Sequence, residues 1–217
     1  MRFCIVGHPV SHSLSPRIYT RFFEMKGIDA TYEALNIQTG EFSSVIDVLL
    51  KEYDGLNVTI PFKEAVVAHV DCMVERSLRA VNCIFKGVGY NTDWIGFSNS
   101  LRDIKIEEPI TILGAGGASR AVIYALKEFG VNRINVINRS TVRAERVAED
   151  FNNRNFEVKI FSFDSLPSIV KKSKSIINAT SIGMKGEYLS LGREEFQGIS
   201  LVYDLIYSET PLQKVAR

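Results

Sequence analysis

Two groups of residues in this sequence have types and spacings that could do chemistry. The first is the run from Ile110 reading ITILGAGGASRAVIYAL, a short apolar stretch that passes into a glycine-rich turn and then a helical pattern. Strand, glycine turn and helix in that order is how α/β proteins seat a dinucleotide, with the pyrophosphate on the amides that open the helix. Gly114 allows the tight turn, Gly116 lets the backbone approach the pyrophosphate, and Gly117 to Ser119 supply helix-opening amides. Gly114, Ala115, Gly116, Gly117 and Ala118 are therefore the candidate contacts, with Ser119 where the pattern usually has its third glycine. A tight turn without a ligand is the alternative. Against it stands the second strand pattern arriving at Arg133 to Ile137.

The residues just after that second strand bear on the cofactor. A carboxylate there binds a ribose 2′-hydroxyl, whereas cations favour a 2′-phosphate. This sequence has Asn138, Arg139, Ser140 and Arg143 and no carboxylate, so two guanidiniums flank a helix start and NADP is expected over NAD. The alternative is a solvated basic helix start.

The second group is a set of small polar residues at the ends of predicted N-terminal strands, where open sheets place ligands. Ser13 and Ser15 lie in GHPVSHSLSPRIY; Asn57, Thr59 and Lys63 in NVTIPFK; Asn82 in AVNCIF; and Asp93 in GYNTDWIG. Taken alone, Ser15 reads as the cap of a helix that Pro16 begins. A lone lysine or asparagine is usually a solvated surface group, but four such clusters in order call for another explanation.

The elements that must position these groups alternate along the chain, as expected of an α/β protein with largely parallel sheets. Strands are expected at Arg2 to Val6, Thr31 to Ile37, Gly55 to Thr59, Ile110 to Leu113, Arg133 to Ile137, Ser175 to Ala179 and Ser200 to Asp204. Phe42, Val45, Ile46, Leu49 and Tyr53 share one helical face, as do Ala118, Ala121, Val122, Ala125, Leu126 and Phe129. Glu107, Glu108 and Pro109 punctuate the chain, so a substrate domain over 1–105 and a Rossmann-type NADP domain over 106–217 are expected.

Composition narrows the partners. The 217 residues are 46% hydrophobic and 24% charged, with a net charge of +1, which suits a globular protein without a broad footprint for nucleic acid or an anionic membrane. Small molecules are the expected partners. The apolar run Phe3 to Val6 is ended by Gly7, His8 and Pro9, too soon for a signal or membrane segment, so cytoplasm is expected. Cys4, Cys72 and Cys83 read as reduced core thiols, and neither they nor His8, His12 and His69 have metal-ligand spacing, so no metal is expected.

Together these stretches resemble the shikimate dehydrogenase family: S-x-S-x-S-P, N-V-T-x-P-x-K, A-V-N, G-x-N-T-D, G-A-G-G-A-S-R, N-R-S and N-A-T-S-x-G occur in order from Phe3 to about Leu212. The resemblance implies reversible, NADP-dependent reduction of 3-dehydroshikimate to shikimate on the route to aromatic amino acids, by a monomer or homodimer. It gives Ser13 and Ser15 the substrate carboxylate, Thr59, Asn82 and Asp93 the ring hydroxyls, and Tyr207 the carboxylate again, with Asn57 in support. It places Glu75 near the cofactor and Leu205 beside the nicotinamide, and names Lys63 and Asp93 as the catalytic pair. Hydride addition to a carbonyl carbon leaves charge on the oxygen, and an ammonium supplies both cation and proton. The family pattern continues past Thr210 to Leu212 with a loop, a glutamine that touches substrate and helices returning to the first domain, so a chain ending at Arg217 is expected to hold NADP well and shikimate poorly. A quinate/shikimate dehydrogenase, a ligand-binding protein with little turnover and an amino-acid or folate-linked dehydrogenase are the competing readings.

Overall fold

A computed structural model describes residues 1–217, which divide into two compact units, Met1–Asp93 and Trp94–Arg217. In the first unit the elements run β1 (Arg2–Gly7), α1 (Ser15–Lys26), β2 (Thr31–Asn36), α2 (Phe42–Glu52), β3 (Gly55–Val58), β4 (Cys72–Met73), β5 (Cys83–Phe85) and β6 (Val88–Tyr90). Their sheet has the order β2-β1-β3-β5-β6-β4. β1 is parallel to both neighbours, whereas β5 is antiparallel to β3 and to β6, so this sheet is mixed rather than largely parallel. Alternation along β1 buries both faces: Cys4 and Val6 join the Phe42 and Ile46 side, and Ile5 joins Phe23 and Tyr32. Helices therefore cover the sheet on both sides.

The second unit contains α3 (Asp93–Ser100, its first residue shared with the first unit), β7 (Ile110–Leu113), α4 (Gly117–Glu128), β8 (Arg133–Ile137), α5 (Thr141–Phe151), β9 (Glu157–Phe161), α6 (Leu166–Val170), β10 (Ser175–Asn178), β11 (Leu201–Asp204) and α7 (Pro211–Ala216). Its sheet is parallel throughout, in the order β11-β10-β7-β8-β9. This is the doubly wound arrangement, whose strand order reverses between β7 and β10. Ile110 and Ile112 pack with Val122, Ile123, Val147 and Phe151, while Leu113 and Ile137 pack on the other face with Leu166 and Val170.

Several expectations need adjustment. The unit boundary falls after the first residue of α3, between Asp93 and Trp94, because Phe97 and Leu101 pack into the core of the second unit. Phe129 leaves the buried face of α4 and is 52% exposed, because it sits at the C-cap just before Gly130, whose φ is +82°. Cys72 is exposed, so only Cys4 is a fully buried thiol. No helix is long and apolar enough to cross a membrane.

Candidate functional site

In the first unit the polar clusters converge on β3. Phe62 is buried and stacked on Phe42 with ring centroids 4.2 Å apart, which anchors the turn carrying Lys63. The Lys63 carbonyl accepts from the Val81 amide at 2.8 Å, tying that turn to the Asn82 segment. Asn82 is held as firmly: its amide donates to Tyr90 at 3.0 Å, and its carbonyl accepts from the Val58 amide at 2.9 Å and from Asn57 Nδ2 at 3.2 Å. Its side chain donates to Asp93 Oδ1 at 2.8 Å and to Thr92 Oγ1 at 3.0 Å. The other carboxylate oxygen, Asp93 Oδ2, accepts from Lys63 Nζ at 2.6 Å, with the two side chains 30% and 15% exposed. Asn91 fixes the start of α3, its Oδ1 accepting from the Asp93 amide at 3.1 Å and its own amide donating to Glu75 Oε2 at 3.0 Å.

Ser13 and Ser15 stand at the start of α1, and their roles differ from the expected cap. The helix begins at Ser15 itself, and Leu14 is the N-cap. Ser13 Oγ accepts from the Ser15 amide at 3.2 Å, which satisfies one of the helix-opening donors and leaves the Ser15 hydroxyl to face that of Tyr32. Tyr32 donates to Asn57 Oδ1 at 2.6 Å. Burial, above all, pushes the ionisation of Tyr32 upward, and burial raises the Cys83 thiol as well, so both stay neutral well into the alkaline range. Thr59 follows β3, its amide donating to the Val6 carbonyl at 2.9 Å. Hydrogen bonds thus join Lys63, Asp93, Asn82 and Asn57, with Tyr32 extending the network toward Ser15. Sequence reasoning missed Tyr32, Asn91 and Thr92. Asn91 and Thr92 sit inside the GYNTD stretch already singled out, whereas Tyr32 reads as ordinary strand core.

The second unit has its own constellation at the strand-order reversal. Gly114 has φ +108°, and a Cβ on it would stand 3.0 Å from the Ala179 carbonyl oxygen after β10. Only glycine fits there without strain. Gly116 is the N-cap of α4 without a side-chain cap, and a Cβ on it would meet nothing within 4 Å. Open amides beside open space suit a pyrophosphate. Ser119 is buried and donates to the Gly114 carbonyl at 2.6 Å, so its hydroxyl braces the turn that a third glycine would otherwise only pack against. After β8, Asn138 Nδ2 donates to the Ser140 carbonyl at 2.9 Å, and Ser140 caps α5. Arg139 and Arg143 are exposed around that helix start, which fits the 2′-phosphate of NADP. Leu205 packs against the core and Tyr207 is 82% exposed.

A parallel doubly wound sheet with this glycine turn, in a chain that also carries a part-buried lysine–carboxylate contact among amides and hydroxyls, defines a dinucleotide-dependent oxidoreductase. Residues 5–84 match the model of the shikimate dehydrogenase substrate binding domain, and residues 99–185 match that of shikimate / quinate 5-dehydrogenase. The shikimate dehydrogenase (NADP(+)) of Thermotoga maritima is 47% identical over 100% of this chain and 83% of its own length. The crystal structure of shikimate dehydrogenase from the same organism superposes with a TM-score of 0.93, again over 100% of this chain and 83% of that one. The Thermus thermophilus enzyme in complex with NADP(H) and shikimate is 32% identical, with a TM-score of 0.78 over 95% of this chain and 79% of that one. The chain belongs to the shikimate dehydrogenase family.

Proposed function

We infer that this chain catalyses the reversible, NADP-dependent reduction of 3-dehydroshikimate to shikimate, a step toward the aromatic amino acids. The observation that carries the reading is the 2.6 Å contact of Lys63 with Asp93, held among Asn57, Asn82 and Thr92. NADPH, when bound, supplies the hydride for the carbonyl carbon. Lys63 donates its proton to the carbonyl oxygen as charge develops there, and Asp93 orients the ammonium. In the oxidative direction the neutral amine of Lys63 takes the proton from the substrate hydroxyl. Ser13 and Ser15 hold the substrate carboxylate, while Thr59, Asn82 and Asp93 hold ring hydroxyls. Gly114 to Ala118 hold the pyrophosphate, and Asn138, Arg139, Ser140 and Arg143 hold the adenosine 2′-phosphate. The family resemblance adds Tyr207 to the substrate contacts and Glu75 and Leu205 to those of the cofactor.

Replacing Lys63 by alanine tests this assignment. Turnover of shikimate should fall by roughly a hundredfold or more, the scale of a lost general acid or base, while the Kd for NADP stays unchanged. A Lys63→Ala chain that keeps native turnover removes the lysine from the chemistry.

A further inference from the structure

Tyr32 is the second residue of β2, is 8% exposed, and has its ring stacked on that of Tyr19 with centroids 4.5 Å apart. A phenylalanine would fill the same volume and keep the same stack, so packing alone gives the hydroxyl no role. A buried hydroxyl is costly unless it is hydrogen-bonded, and here its bond is directional. The Asn82 carbonyl can only accept, so the Asn57 Nδ2 lies against it at 3.2 Å. That orientation turns Asn57 Oδ1 toward Tyr32, and the phenol must donate across the 2.6 Å contact. Asn82 passes the constraint on, since its Nδ2 donates to Asp93 Oδ1 at 2.8 Å and Asp93 Oδ2 accepts from Lys63 at 2.6 Å. Each bond in this series has one sense only: donation runs from the phenol through Asn57 and Asn82 to the Asp93 carboxylate, which accepts from the ammonium on its other oxygen.

We propose that Tyr32 is a positioning residue for the reaction inferred above: its hydroxyl fixes the Asn57 amide, and through Asn57 and Asn82 it sets where Asp93 and Lys63 stand. The proposal rests on that reaction. Without the phenol, Asn57 Oδ1 loses its donor and the amide is free to turn, which releases the Asn82 carbonyl from one of its two hydrogen bonds. The Tyr32 hydroxyl has two polar neighbours, Asn57 and Ser15, and only the contact with Asn57 leads on to Asn82, Asp93 and Lys63. A residue that merely packs would act whether or not Asn57 is present.

A double-mutant cycle separates the two. Tyr32→Phe should lower kcat/KM for shikimate by about five- to tenfold, the worth of one neutral hydrogen bond, and leave the KM for NADP unchanged. In an Asn57→Ala background the same Tyr32→Phe change should alter kcat/KM by less than about twofold, because the path is already cut. Thermal melts of each variant keep the assays on folded protein. Should Asn57→Ala not fold, Asn57→Leu serves as the second background, since it keeps the side-chain volume, adds no charge and removes both the acceptor for Tyr32 and the donor to Asn82. Equal losses from Tyr32→Phe in both backgrounds, or no loss in the native background, overturn the positioning role. A native chain that does not oxidise shikimate at all overturns the reaction, and this inference with it.

Discussion

Lys63 and Asp93 meet because their backbones are fixed independently, one by the buried Phe62 beneath its turn and the other by the Asn91 side chain at the head of α3. Removing the carboxylate without changing its size, in Asp93→Asn, should slow turnover while the fold stays intact, as followed by stopped-time assays and circular dichroism. Burial keeps Tyr32 and Cys83 un-ionised at neutral pH, so both face the lysine–carboxylate contact as neutral groups. At this scale the members of the hydrogen-bonded cluster were legible, since Asn57, Lys63, Asn82 and Asp93 stood in short distinctive stretches. What was not legible was which serine does what. A Ser-Pro pair predicts a cap at Ser15, yet the helix starts one residue earlier than a cap there would allow, so Ser13 takes the amide. Tyr32 was hidden for a related reason: an aromatic in a strand pattern reads as core, and only the long-range contact with Asn57 reveals its polar end.

The elements set what each site can tolerate. At Gly114 the chain turns through φ +108° against the Ala179 carbonyl, so Gly114→Ala forces strain on the order of 1–3 kcal/mol into the turn. It should lower the thermal midpoint and raise the Kd for NADP, with shikimate binding much less affected; a variant that binds NADP normally would remove the turn from the cofactor site. At the other end of the dinucleotide, Arg139→Ala with Arg143→Ala should weaken NADP far more than NAD, since each charge-assisted hydrogen bond is worth roughly 1.5–3 kcal/mol. Equal losses for both cofactors, read by fluorescence titration, would remove the phosphate contact. The Rossmann-type elements were the more readable ones because buried parallel strands leave continuous apolar runs. β5 and β6 escaped because each has three residues and their turn is Lys86-Gly87, with φ of 50° and 77°, rather than an asparagine–glycine signal. β9 escaped because it is an edge strand paired only with β8, with Glu157 and Lys159 alternating outward.

Across the whole molecule, each unit carries its own core and its own set of ligand-directed groups. The first has cores on both faces of a mixed sheet beneath the lysine–carboxylate contact, and the second has a parallel sheet beneath the glycine turn. That separation was legible only in outline. The glutamates and proline before β7 read as a boundary, but the packing of Phe97 and Leu101 assigns α3 to the later unit, a tertiary fact with no local signal. If the two units together oxidise shikimate with NADP, the decisive experiment records reduced cofactor formed from shikimate and from quinate, each with NADP and with NAD, on protein of verified intact mass. The highest kcat/KM is expected for shikimate with NADP. A preference for quinate, a preference for NAD, or no reduced cofactor from any pair would refute that assignment.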